Sequence, residues 1–144
     1  MTVRDRIALL ASALWWGSLA ATGALAVPLL FSSLPSAHQA GQVAARLFAV
    51  QNSLGIACGV LLVLLFKGQA AGRGARPRAQ GHVFIAVLGV LLALLVQFGV
   101  APRIVARHNL AFWHALGTAF FIVQWLCAGA LLWRLATPTA GAKP

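Results

Sequence analysis

Acidic residues are almost absent from this sequence. Asp5 is the single acid among 144 residues, whereas lysine and arginine together number 11, and charged residues make up 8% of the chain. Catalytic triads and paired-carboxylate hydrolases need acids beside the reacting groups, so the composition argues against these classes of hydrolytic enzyme. A soluble domain with so few charged residues would also have too little polar surface to face water. Because 61% of the residues are apolar, the composition predicts a membrane protein.

Cysteine is nearly as scarce. Cys58 and Cys127 lie within apolar runs and lack the CxxC spacing of a metal site. Lone cysteines in such runs usually behave as small hydrophobic side chains, although a structural disulfide between the two is an open alternative. The formal net charge of +10 would suggest nucleic acid in a soluble protein. Here the basic residues are scattered between apolar segments, so we expect no nucleic-acid partner and favour the lipid bilayer and its anionic headgroups.

Long apolar runs are what the sequence has in abundance. Four of them, at about 7–31, 45–66, 81–101 and 111–133, each supply the roughly 20 residues that a helix needs to cross a bilayer. The connections between them are too short to form another domain. The sequence therefore predicts an all-α fold: one integral membrane four-helix bundle over residues 1–144, with a basic cytoplasmic loop at 67–80.

The positions of lysine and arginine predict how the bundle is oriented, because cytoplasmic loops carry the excess of these residues. Eight fall on one predicted side and three on the other: Arg4, Arg6, Lys67, Arg73, Arg76, Arg78, Arg134 and Lys143, against Arg46, Arg103 and Arg107. This split predicts that both termini and the loop at 67–80 lie in the cytoplasm. In an alternative interpretation the first run is a signal peptide cleaved after "ALA" at 24–26. The length of that run, and Trp15, Trp16 and Pro28 within it, favour a retained helix.

Small residues predict the faces on which the helices pack. Gly17 lies on such a face of the first helix, and Pro28 is expected to kink or end that helix. Gly55 and Gly59 form a GxxxG pair, which we expect to serve packing within one chain rather than dimerisation. The segments "AVP" at 26–28 and "VAP" at 100–102 give the two halves a faint likeness, which leaves open a pair of similar parallel hairpins.

Several polar side chains fall within the predicted spans. They are Gln51, Asn52, Gln97, His114, Thr118 and Gln124, and all except Gln124 lie in the predicted outer half. Because His114 and Thr118 are one helical turn apart, they share a face. Intramembrane polar residues are candidates for a functional site, but uncharged ones also join helices through hydrogen bonds. Two interpretations therefore stay open: bonding between helices, and an outward-facing pocket for binding or transport.

The four histidines raise the question of a cofactor. His38, His108 and His114 fall on the predicted outer side, where imidazoles could bind a metal or haem iron. No carboxylate accompanies them, and a bis-histidine haem site would need a second histidine within a span. We therefore expect no cofactor. The alternative is haem, quinone or a soft metal at His114, with His38 and His108 as further metal candidates.

A family resemblance rests on the stretch "WWGSLAATGALAVPLLFSSLPSAHQAGQVAARLFAVQ" at 15–51. Its Trp/Gly start, P-x-L-F helix end and A-G-x-x-A-x-x-L-F entry resemble the first hairpin of the bacterial domain-of-unknown-function 4149 family, related to the eukaryotic transmembrane-protein-205 group. The resemblance implies a small multi-spanning membrane protein without an assigned reaction. The association of the eukaryotic relatives with resistance to platinum drugs would further imply soft-metal handling by Cys58, Cys127 and His114.

In the last helix the same resemblance places the family's Trp-His pair at Trp113 and His114 and its later glutamine at Gln124. The chain departs from the family pattern at Ala115 and Gly117, where glycine and serine would be expected. The missing hydroxyl weakens the case for a hydrogen-bonded site at His114.

Together with the resemblance, these features lead us to expect a bacterial inner-membrane protein. We expect a non-enzymatic accessory subunit, in contact with other membrane proteins, or a small transporter-like module with a polar pocket. The alternative is a redox protein that uses His114.

Overall fold

A computed structural model describes residues 2–71, 77–107 and 109–137. Over these residues the chain forms four helices and no strand: α1 (Val3–Ser33), α2 (Ala37–Ala70), α3 (Pro77–Val105) and α4 (Leu110–Ala136). Each helix is long and apolar enough to cross a membrane, and each contains one of the predicted spans and continues beyond it. The predicted all-α four-helix membrane fold is confirmed. Arg73, Arg76, His108 and Lys143, which entered the sequence predictions, lie outside the described residues.

The four helices pack in a ring. α2 contacts α1 and α3, and α4 contacts α3 and α1. Because successive helices run in opposite directions, Val3, Ala70, Pro77 and Ala136 lie at one end of the bundle, which we call the terminal side. The opposite end, which carries the connections from α1 to α2 and from α3 to α4, is the distal side.

Local sequence determines where the first two helices begin. The Thr2 side chain accepts a hydrogen bond from the Asp5 backbone N–H at 3.2 Å, and the Asp5 carboxylate accepts one from the Thr2 N–H at 2.9 Å. This reciprocal capping box satisfies amides that the first turn leaves free. Ser36 caps the N-terminus of α2, since its hydroxyl accepts a hydrogen bond from the Gln39 backbone N–H at 3.3 Å.

α1 and α3 each contain a π-helical turn at a corresponding place. The turns cover Thr22–Ala26 and Leu95–Val100, and each is followed two residues later by a proline, Pro28 or Pro102. A proline has no N–H to donate to the carbonyl four residues earlier and clashes with it, and a wider turn accommodates both effects without ending the helix. The sequence likeness at 26–28 and 100–102 therefore coincides with the same backbone feature in both halves.

Trp15 occupies the centre of the core. Its side chain is fully buried and lies against glycines of two other helices. An added Cβ would lie 2.8 Å from the indole Nε1 at Gly55, and one at Gly59 or Gly89 would also contact the ring. The GxxxG pair of α2 therefore makes room for a side chain of α1. Gly17 has a different environment, because a Cβ there would meet no atom within 4 Å, so it is not a position of close helix approach.

Candidate functional site

Gln51 joins α2 to α1 in the interior of the bundle. Its amide Nε2 donates to the Ser18 hydroxyl at 3.1 Å, and its Oε1 accepts from the Thr22 hydroxyl at 3.2 Å. Both Gln51 and Thr22 are buried. Both ends of the amide therefore have partners, as a buried polar side chain requires.

Asn52 makes the equivalent connection to α3. Its Nδ2 donates to the Gln97 Oε1 at 3.3 Å, and Asn52 itself is buried. Successive side chains on a helix point about 100° apart, so the neighbours Gln51 and Asn52 can reach different helices. The structure thus brings together three of the predicted polar residues and adds two that the prediction missed. We call this set the polar layer: Ser18, Thr22, Gln51, Asn52 and Gln97.

The two π turns carry one member of the polar layer each. Thr22 opens the first turn, and Gln97 lies within the second. Such turns change the direction in which the following side chains point. The π turns of α1 and α3 therefore each carry a side chain that hydrogen-bonds to α2.

The chemistry available to the polar layer is limited to neutral hydrogen bonding. Its members are amides and hydroxyls that bond to one another, and none is an acid, a base or a charged group. Two grooves on the bundle surface, one beside Trp16 and Trp125 and one beside Val60 and Leu64, are lined by other residues. The geometry of the layer is suited to holding helices together.

The remaining members of the predicted pocket lie elsewhere. His114 and Thr118 are exposed on one face of α4, and the hydrogen bonds of the polar layer do not include them. Gln124 is fully buried, and neither its side-chain nitrogen nor its oxygen has a hydrogen-bond partner among the described residues. Hydropathy and depth do not reveal these differences, because they give no information on how each helix is rotated.

Two kinds of candidate metal ligand, histidine and cysteine, lie within the described residues. The His38 ring nitrogens lie 3.0 Å from Arg107 Nη2 and 3.1 Å from Gln42 Nε2. Cys58 and Cys127 are free, buried thiols. Within the described parts of the chain, no group of three or more histidine, cysteine or acidic side chains is arranged to hold a metal ion.

Sequence reasoning missed a cluster of basic groups on the terminal side. Arg4, Arg78, His82 and Arg134 come from α1, α3 and α4: Arg4 and His82 lie beside the Phe66 ring, Arg78 donates to the Arg134 carbonyl oxygen, and the Arg134 guanidinium lies near Gly81. His82 is buried, and neither ring nitrogen has a partner among the described residues. The available signal was the spacing of four between Arg78 and His82, which puts both on one face of α3.

A protein-family model matches most of the chain. Residues 10–112 match the model for the domain of unknown function DUF4149. The chain belongs to the DUF4149 family. The match spans 103 of the 144 residues, from α1 to the first three residues of α4, and so includes the polar layer but ends before His114. No curated protein and no solved structure matches this DUF4149 member.

Proposed function

We propose that this DUF4149 protein is a non-enzymatic accessory subunit of the bacterial inner membrane, which binds another membrane protein through the distal half of α4. The observation that carries the proposal is the exposure of His114 and Thr118 on a helix that is apolar and long enough to span the bilayer. About 12 Å of helix separate Thr118 from Leu110 at the start of α4, so its side chain lies well inside the spanning helix and not at its end. Polar groups at such a depth favour a protein partner over lipid.

The residues around His114 and Thr118 suit contact with another helix. Exposed alanines accompany them, and together they form what we call the α4 face: Ala111, His114, Ala115, Thr118 and Ala119. Small side chains let two helix backbones approach closely, and histidine and threonine can hydrogen-bond across the contact. By contrast, the exposed side chains Phe84, Val87 and Leu91 of α3 are large and apolar, as expected where a helix faces lipid. The occupant we propose is a spanning helix of a different protein with a polar group at the same depth.

The polar layer supports a structural role over a transporter-like module. Gln51 uses its amide nitrogen and oxygen within the bundle, and Asn52 donates to Gln97. A transported solute would have to break these hydrogen bonds before it could bond to the same side chains. The same amides that could have lined a pathway therefore contribute to helix association, at about 0.6 kcal/mol for each bond.

Crosslinking in the native membrane tests the partner. A photoreactive benzoylphenylalanine replaces Thr118 in one variant and Phe98 in a control. Phe98 is exposed on α3 at a similar distance from the distal side. We expect the Thr118 variant to form an adduct with one membrane protein, identified by mass spectrometry, and the Phe98 variant to form none with it. The identified protein should copurify with the unmodified chain and should not copurify with the His114→Leu variant.

Three outcomes would overturn the proposal. Equal adducts from both positions would indicate random collisions, and an adduct between two copies of this chain would indicate self-association. A Soret band or stoichiometric metal in the purified protein that disappears in His114→Ala would instead establish a redox or metal-binding role. Since His114 is exposed, His114→Leu should fold normally, and circular dichroism checks that it does.

A further inference from the structure

We infer that the terminal side of the bundle holds one anionic phospholipid, with its phosphate at the basic cluster and an acyl chain in the groove between α1 and α4. The basic cluster consists of Arg4, Arg78, His82 and Arg134. The inference is independent of the α4 face, which lies at the other end of the same helix.

Contacts within the cluster bring together groups from three helices. The Arg4 guanidinium carbon lies 5.9 Å from the centre of the Phe66 ring, and the His82 ring lies 5.0 Å from the same centre. Arg78 donates to the carbonyl oxygen of Arg134. The Arg134 guanidinium lies against the turn of α3 that contains His82, since a Cβ added to Gly81 would be 2.9 Å from its Nη1.

The basic cluster has at most one acidic side chain near it, which is next to Arg4 in the chain. Asp5 is the single acid in the sequence, and its carboxylate accepts the Thr2 backbone N–H at 2.9 Å in the cap of α1. Three guanidinium groups therefore share one region with little compensating charge. Like charges repel unless an anion lies among them, and phosphate is the anion to which the guanidinium fork is best matched.

Unpartnered polar atoms give a second indication that a ligand belongs here. His82 is 5% exposed, and both of its ring nitrogens lack a hydrogen-bond partner among the described residues. The Arg4 Nε is also buried without a partner. Buried polar groups in folded proteins are nearly always hydrogen-bonded. The shortage of acceptors at this end would be relieved by the oxygens of a phosphate headgroup.

An apolar groove adjoins the cluster. It has a volume of about 420 Å³ and is lined by Trp16, Trp125, Leu126, Gly129, Ala130, Trp133 and Arg134. The Trp16 and Trp125 rings are stacked with their centres 5.8 Å apart. Arg134 belongs to both features, so charged and apolar surfaces are continuous at this residue. Such a combination fits a molecule with a phosphate head and a hydrocarbon tail, and Trp133, 73% exposed, is placed as interfacial tryptophans are.

Fluorescence quenching tests the site on the full-length protein in phosphatidylcholine vesicles. Phosphatidylglycerol with brominated acyl chains, added at a low fraction, should quench the groove tryptophans and saturate at one lipid for each chain. Unlabelled phosphatidylglycerol should relieve the quenching, whereas extra phosphatidylcholine or inorganic phosphate should not. Loss of one charge in Arg134→Gln should weaken binding by about fivefold.

The control removes the same charge from the other end of the bundle. Arg46 is exposed on the distal side of α2, and Arg46→Gln should bind phosphatidylglycerol as the unmodified chain does. Equal weakening in both variants would show attraction by net charge only and overturn the site. Equal quenching by brominated phosphatidylcholine, or relief by inorganic phosphate, would overturn the phospholipid assignment. Should Arg134→Gln fail to fold by circular dichroism, Arg4→Gln tests the same cluster from α1.

Discussion

At the scale of single residues, the packing of the interior depends on glycines, because the side chains that they lack leave space for a tryptophan. Trp15 is fully buried because Gly55, Gly59 and Gly89 present no side chain where its indole lies. Without a strong hydrophobic drive between helices in lipid, close contact of this kind is a main source of helix association. The tryptophan in turn fills a volume that three glycines would otherwise leave empty, and empty volume in a packed core is destabilising.

Two glycine-to-alanine variants should therefore differ in sign. Gly55→Ala places a Cβ 2.8 Å from Trp15 Nε1, and we expect it to lower the free energy of unfolding by about 1–3 kcal/mol, as overpacking does. Gly17→Ala meets open space and should leave stability unchanged or raise it by up to about 1 kcal/mol through helix propensity. Unfolding in detergent followed by circular dichroism measures both. A loss of the same size at both positions would contradict the arrangement around Trp15.

At the scale of helices, each π turn lies just before a proline and carries a side chain that hydrogen-bonds to a neighbouring helix. In α1 the turn at Thr22–Ala26 precedes Pro28 and carries Thr22, which donates to Gln51. In α3 the turn at Leu95–Val100 precedes Pro102 and carries Gln97, which accepts from Asn52. Each helix thus uses a departure from α geometry at the place where it is joined to α2.

Replacing Pro28 tests the connection. In Pro28→Ala the backbone amide returns, and we expect the π turn to close to an α turn, which rotates the distal part of α1 by up to about 100°. Leu29 is exposed, so a spin label there should have high access to oxygen dissolved in the lipid. In Pro28→Ala the rotation should turn this label away from the lipid and so lower its access to oxygen. Unchanged access would show that the bond between Thr22 and Gln51 maintains the turn without the proline.

At the scale of the whole molecule, the even number of described helices places Val3 and Ala136 on one side of the bundle. Arg4, Lys67 and Arg134 also lie there, whereas Arg46 and Arg103 lie near the distal side. Because basic residues accumulate on the cytoplasmic side, this distribution supports a cytoplasmic location for both termini. The same asymmetry would bring the basic cluster to the leaflet that is richest in anionic lipid.

Cysteine labelling tests that orientation with two positions of α2. The native thiols, Cys58 and Cys127, are buried and are replaced by alanine in the background protein. A membrane-impermeant maleimide should label Arg46→Cys in cells whose inner membrane is intact. Lys67→Cys should react only after that membrane is permeabilised. The reverse pattern would invert the orientation, and labelling of both positions in intact cells would contradict a spanning α2.

The sequence predicted the helical fold better than the grouping of its polar side chains. Four apolar runs were sufficient for the architecture, because a bilayer leaves helices as the simplest way to satisfy the backbone. Gln51, Asn52 and Gln97 proved to be neighbours, as their shared depth allowed. His114 was grouped with them on depth, and Gln124 was included as a further polar residue within a span, but the rotation of α4 exposes the first and buries the second. Rotation depends on contacts among all four helices, which no single run of sequence contains.

What the sequence determined by itself was local or additive: the number of helices, their caps at Thr2 and Ser36, and the distribution of charge between the two ends. Each depends on residues close together in the chain or on a sum over them. The tertiary structure alone decided that Trp15 lies against glycines of α2 and α3, that two π turns meet Gln51 and Asn52, and that basic groups of α1, α3 and α4 gather on the terminal side. These arrangements join residues distant in sequence, and packing selects among the many that hydropathy permits.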